Sequence, residues 1–139
     1  MFLKRIRVQT LNFSFIGRWV GHFFHGRIAH ASIGKASPIT NETSLGWITH
    51  YAVGIAFAFL LTSIAGVAWA RAPSLGIALL VGVCTVAFPL LVMQPAMGLG
   101  VVASKTPTPI KSCIRSVINH SVFGLGLFLS ACAIEWISR

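Results

Sequence analysis

The sequence predicts an all-α membrane protein: three transmembrane helices preceded by an amphipathic helix at the membrane interface. Three observations carry this. Hydrophobic residues make up 55% of the 139 positions and charged residues 9%, against about 25% charged in soluble domains. The run from Ser74 to Ala103 holds no charge at all, and about 18 apolar residues already suffice for a span candidate. The basic residues cluster on one side of the hydrophobic stretches, as the positive-inside rule requires of a multi-pass chain. A chain of this length makes one domain, and lipid can cover the apolar surface that so small a chain cannot bury in a core of its own.

The net charge is +9. A basic balance can signal nucleic acid, but here Lys and Arg flank apolar spans, so anionic headgroups are the expected partner and nucleic acid is not. Cys84, Cys113 and Cys132 are odd in number and lack Cys-x-x-Cys spacing, so neither a disulfide framework nor a zinc site is expected. The N-terminus lacks the uninterrupted apolar segment of a cleaved signal peptide.

In chain order, residues 1–45 read as a cytoplasmic and interfacial segment, and residues 46–139 as the three-span domain. Residues 1–13 are a short basic-apolar lead that specifies no fold. From Phe15 to Ile28, Phe15, Ile16, Trp19, Val20, Phe23 and Phe24 recur at near-helical spacing. Gly17, Arg18, Gly21, His22 and His25 fill the other face. Asn12 or Ser14 can cap its start. Such a helix lies in the interface or caps the bundle. Residues 29–45 are a connector marked by Gly34 and Pro38, with Thr43 or Ser44 as the next cap.

The first span is expected at about 46–69. Trp47 and Trp69 bracket it, roughly 33 Å apart at helical rise, which suits anchors at the two interfaces. Arg18, Trp19 and Trp136 are expected to anchor likewise. Gly54, Ala58, Thr62 and Gly66 repeat every four residues, a small-residue stripe suited to close helix packing. The short turn Arg71-Ala-Pro73 makes the second span, about 74–103, an antiparallel neighbour. Thirty straight residues would extend about 45 Å, so Pro89 and Pro95 predict a bend near 89–95. Gly98 and Gly100 add small packing positions there. Ser104 to Lys111 is a basic loop stopped by two prolines. The third span, about 112–136, carries Gly124 and Gly126 as further packing positions.

Lys4, Arg5, Arg7, Arg18, Arg27 and Lys35 precede the first span, and Lys105, Lys111 and Arg115 follow the second. Arg71 and Arg139 stand opposite. This asymmetry places the N-terminus and the 104–115 loop in the cytoplasm.

Several stretches resemble a bacterial family of small membrane proteins catalogued as domain of unknown function 2938. They are Gly17-Arg-Trp-Val-Gly-His22, Leu45-Gly-Trp-Ile-Thr-His-Tyr-Ala-Val-Gly-Ile-Ala-Phe57, Met93-Gln-Pro-Ala-Met-Gly-Leu-Gly100, Ala103-Ser-Lys-Thr-Pro-Thr-Pro109 and His120-Ser-Val-Phe-Gly-Leu-Gly126. The resemblance covers most of the chain from residue 11 onward. It implies four spans, the first preceding this chain's Met1, with Leu3-Lys-Arg-Ile standing where that span would end. Either the chain is a shortened member or its start lies upstream; an added span would move the terminus outside without inverting the other three. The resemblance implies no activity.

Depth along the spans brings His50, Gln94, Asn119 and His120 to one cytoplasmic half-membrane level. Polar groups there face other helices or a water-filled cavity. The four are therefore a candidate polar pocket, set against plain interhelical hydrogen bonding. His22, His25 and His30 invite a metal, but His-x-x-x-His spacing is missing and Glu42 and Glu135 are the only acids, so no metal is expected. No nucleophile elbow, phosphate loop or nucleotide fingerprint is present, so no cofactor and no enzymatic activity are expected. Two functions remain. One is a non-enzymatic inner-membrane assembly or interaction protein, pairing with itself or another membrane protein. The alternative is an oligomeric small-solute or proton-coupled transporter or channel subunit using the pocket.

Overall fold

The computed structural model describes residues 12–139. The basic lead over residues 1–11, with Lys4, Arg5 and Arg7 of the charge count, lies outside the described residues. Among the described residues all regular secondary structure is helical. It comprises α1 (Phe13–Phe23), α2 (Glu42–Arg71), α3 (Leu75–Cys84), a π-helical turn (Pro89–Met93), α4 (Gln94–Ala96) and α5 (Pro109–Ile137), with 3-10 turns at Ile33–Lys35 and Val101–Ala103. Three stretches are long and apolar enough to cross a membrane: Glu42–Arg71, Leu75–Ala96 and Pro109–Ile137. A short helix precedes them, so the predicted class holds.

Asn12 caps α1, its side chain accepting from the Ser14 amide at 3.1 Å. Both α1 and α4 end in the same way. Arg27 N–H reaches the His22 carbonyl and Gly26 N–H reaches Phe23; Leu99 N–H reaches Gln94 and Gly98 N–H reaches Pro95. Gly26 and Gly98 hold the positive φ that this Schellman arrangement needs. The second span therefore stops at Ala96, not at Ala103 as its apolar composition implied. Pro89 and Pro95 each lack the N–H that a regular helix spends four residues back. The span answers between them with the π turn.

The first span starts earlier than expected. Its cap position is Asn41, in the left-handed region with no side-chain cap bond, not Thr43 or Ser44. Instead the Glu42 carboxylate accepts from the Ile39 amide at 3.2 Å. Near its far end Gly66 has φ 77° and kinks α2.

Two apolar cores hold these pieces. Leu61, Trp69, Ala78 and Val81 pack with Leu127, Phe128 and Ala131 between the spans. Nearer the start of α2, Phe57 meets Phe88, His120 and Phe123. These pairings make α5 antiparallel to α3 and parallel to α2. The second core joins Trp19, Ile33 and Met97. It fastens α1 and the connector to the end of the second span. Two connector amides reinforce it, His30 to the Ala96 carbonyl at 2.8 Å and Ile33 to Met97 at 2.9 Å.

Glycine pairs set the closest approaches. A Cβ on Gly17 would overlap the Glu42 carbonyl, and one on Gly46 would overlap that of Phe13, so α1 crosses the start of α2 backbone to backbone. Gly82 and Gly124 do the same for α3 and α5. Outside the cores the spans are bare. Ile48, Tyr51, Ile55, Phe59, Ile64 and Val67 stand exposed along α2. Apolar patches of this extent mark contact with a membrane or a partner.

Candidate functional site

The chain concentrates its polar chemistry where α1 meets the ends of the spans. Arg18 is buried at 8% exposure. Its Nε and Nη2 each donate to Glu42, both at 2.8 Å, a bidentate fork. Its Nη1 donates to the carbonyls of Ile33 at 3.2 Å and Ala36 at 3.1 Å. One side chain thus ties α1, the connector and the first turn of α2. The arginine was expected as an interfacial anchor; the structure buries it, and α1 buries residues of both expected faces, Ile16 with Gly17, Gly21 and His22, while Phe23, Phe24 and His25 are exposed. Trp19 is also inside, donating from Nε1 to the Ile28 carbonyl at 2.8 Å. Trp69 is buried and donates to the Ser74 carbonyl at 3.2 Å. Trp47 and Trp136 are exposed.

Beside this clamp, His22 Nδ1 lies 2.7 Å from His30 Nε2, and His22 Nε2 lies 3.0 Å from the Ser37 carbonyl. A carbonyl only accepts, so His22 carries a proton on Nε2, and in its neutral form its Nδ1 accepts from His30. His30 Nδ1 is then left without a partner. Burial, with help from His22 and Arg27, lowers the His30 pKa below its usual 6.5, the Ala96 carbonyl pulling weakly the other way. His25 stands apart, its Nδ1 3.3 Å from the Gly21 carbonyl. Among the described residues no group of three or more His, Cys, Asp or Glu is placed to hold a metal ion.

The four residues of the expected pocket share no hydrogen bond with one another, although His50 and His120 lie near enough to interact electrostatically. His50 is exposed and packs edge-on against Phe13, ring centres 5.2 Å apart. His120 places Nδ1 2.8 Å from Thr85 Oγ1, which itself donates to the Gly82 carbonyl; His120 is therefore the donor to Thr85. Asn119 is exposed on α5. Gln94 is buried with its Oε1 unpartnered. It lines a cavity of about 200 Å³ together with Arg115 and Ser116. Of the expected packing glycines, Gly124 meets Ala78 and Leu79, Gly54 has Phe123 at an ordinary 3.7 Å, and Gly66 and Gly126 have nothing within 4 Å. Gly98 lies against Ala31, and Gly100 against Ser104 and Lys105. In the same stripe as Gly54, Thr62 is exposed and bonds back to the Ala58 and Phe59 carbonyls.

Sequence reading passed over the Arg18–Glu42 fork, the His22–His30 pair and the group around Gln94. A signal existed for the first. A chain with two acids that sets one of them at the head of a span has a cation to neutralise there.

The family model described as protein of unknown function (DUF2938) matches residues 1–134. The chain belongs to this family. No curated protein and no solved structure matches it. Arg18, His22 and Gln94 lie in stretches that carried the resemblance to DUF2938.

Proposed function

We propose that this DUF2938 member is a non-enzymatic protein of the bacterial inner membrane that works by associating with other transmembrane helices, first of all with a second copy of itself. The N-terminal segment and the 104–115 loop face the cytoplasm, in keeping with the Lys and Arg asymmetry. One observation carries the association. Asn119 sits about 15 Å along α5 from Pro109, is exposed, and its side chain makes no hydrogen bond within the described residues.

A carboxamide facing hydrocarbon is costly, and it is relieved by a partner helix. An asparagine offers donor and acceptor together. Two copies related by a twofold axis can therefore satisfy each other with the same residue. A solute pathway has less support, because His120 bonds Thr85, His50 packs edge-on against an aromatic ring and Asn119 is exposed.

The test is association in vesicles, read by energy transfer between labelled copies as the lipid-to-protein ratio is varied. Asn119→Leu should weaken dimerisation about 3- to 30-fold, the range given by about 0.6–2 kcal/mol for an interhelical hydrogen bond in lipid. Unchanged association in Asn119→Leu, or no association of the unaltered protein, would remove this reading.

A further inference from the structure

One cavity is assembled from three distant parts of the chain: the start of α1, the proline-broken end of the second span and the first turns of α5. Its volume of about 200 Å³ exceeds the roughly 30 Å³ that one water occupies in the liquid. Phe15 and Met93 give it apolar walls. Gln94 is 9% exposed, and its Oε1 is fully enclosed without a hydrogen-bond partner. A buried carboxamide oxygen in this state lacks a donor. It follows directly on a π turn, a distortion that recurs at functional sites.

Two other polar side chains line the same space. Ser116 is as buried as Gln94. Arg115 brings a permanent positive charge and already interacts elsewhere in the chain, but its five N–H donors serve more than one partner. The cavity therefore offers a cation, a hydroxyl and an acceptor in want of a donor, within apolar walls. A ligand that answers all of these carries an anionic oxygen group and, a few bonds away, an N–H or O–H.

We propose that this cavity binds a phosphoethanolamine group, with the phosphate on Arg115 and Ser116 and the ammonium donating to Gln94 Oε1. On the membrane reading proposed above, the bilayer is its source: the apolar walls accept the glycerol end of a phospholipid, and an amphipathic helix such as α1 belongs at the level where headgroups gather. Phosphatidylcholine is the natural control. It has the same phosphate and the same chains, but its quaternary nitrogen has no N–H to give.

The test is native mass spectrometry of the full chain, equilibrated in detergent with equimolar phosphatidylethanolamine and phosphatidylcholine. The ethanolamine lipid should be retained about tenfold over the choline lipid, the scale of one charge-assisted hydrogen bond. Gln94→Leu, close in volume, should bring that ratio to about one without lowering the thermal midpoint measured in the absence of lipid, since it removes an unsatisfied amide. Arg115→Gln should reduce retention of both lipids. Soluble glycerophosphoethanolamine forms the second arm. Failure to displace the bound lipid assigns the site to the bilayer, and displacement assigns it to the same group in free form. Equal retention of the two lipids by the unaltered protein, or a preference that survives Gln94→Leu, overturns the proposal.

Discussion

Glu42→Gln should destabilise the protein by about 3–5 kcal/mol, the cost of leaving one member of a buried ion pair without its partner. The fork is well enclosed, with side-chain exposures of 10% for Arg18 and 17% for Glu42. Substitution keeps the shape of the side chain but removes the charge that balances the guanidinium. It also weakens the acceptor for the Ile39 amide, which stands in for a missing cap at the head of α2. Loss of α1 docking should follow, because the same arginine holds the connector through Ile33 and Ala36. The expected readout is a lower thermal midpoint in detergent and faster proteolysis between residues 24 and 41. Replacing both partners, Arg18→Leu with Glu42→Leu, should recover a large part of the loss, since an apolar pair leaves no uncompensated charge. Equal damage from the single and the double substitution would show that packing, not charge, gives the site its importance.

The second large effect is expected where α3 meets α5. A Cβ on Gly82 would stand 2.7 Å from Gly124 Cα and 2.8 Å from the His120 carbonyl oxygen. Both are backbone atoms, so the clash cannot be relieved by a rotamer change. Gly82→Ala should push the helices apart, weaken the Thr85–His120 bond and cost about 1–3 kcal/mol, the usual range for overpacking. Gly126→Ala is the matched control on the partner helix. Nothing lies within 4 Å of its added methyl, and alanine is the better helix former by up to about 1 kcal/mol. The two substitutions should move the thermal midpoint in opposite directions. A fall of similar size in both would mean that α3 and α5 do not meet at Gly82.

The contrast between these glycines marks what the sequence can carry. Gly124 and Gly126 share one stretch and look alike there. Which of them faces α3 depends on the rotation of α5, and a helix of high apolar content all round gives no stripe from which to read that rotation. The same limit governs the polar residues. Depth along a span follows from counting residues, but direction does not. Asn119 and His120 are neighbours in sequence and so point about 100° apart. One bonds Thr85 and the other faces outward. The spans themselves were legible, because a long charge-free run needs no partner to be recognised.

Helix ends were legible only in part. Asn12 was open to reading as a cap. The Gly98 stop was written in Gln94-Pro-Ala-Met-Gly-Leu99, but the apolar residues beyond it pulled the expected end to Ala103. The start of α2 depends on Arg18 from another helix, a contact between residues 24 positions apart that no local pattern contains. For α1, the residue pattern showed a helix but not its buried side: Ile16 and Trp19 of the apolar set are buried together with Gly17, Arg18, Gly21 and His22, because backbone-to-backbone crossing at Gly17 and Gly46 leaves no apolar signature.

The central claim is that three helices cross a bilayer, with the α1 clamp and the 104–115 loop on the cytoplasmic side. Sided labelling with a membrane-impermeant maleimide tests it most directly, in a background where Cys84, Cys113 and Cys132 are replaced by alanine. Ala72→Cys should label in intact cells, and Lys105→Cys only after the cells are permeabilised. Labelling of both positions from the same side, or recovery of the protein from the soluble fraction without detergent, would contradict it.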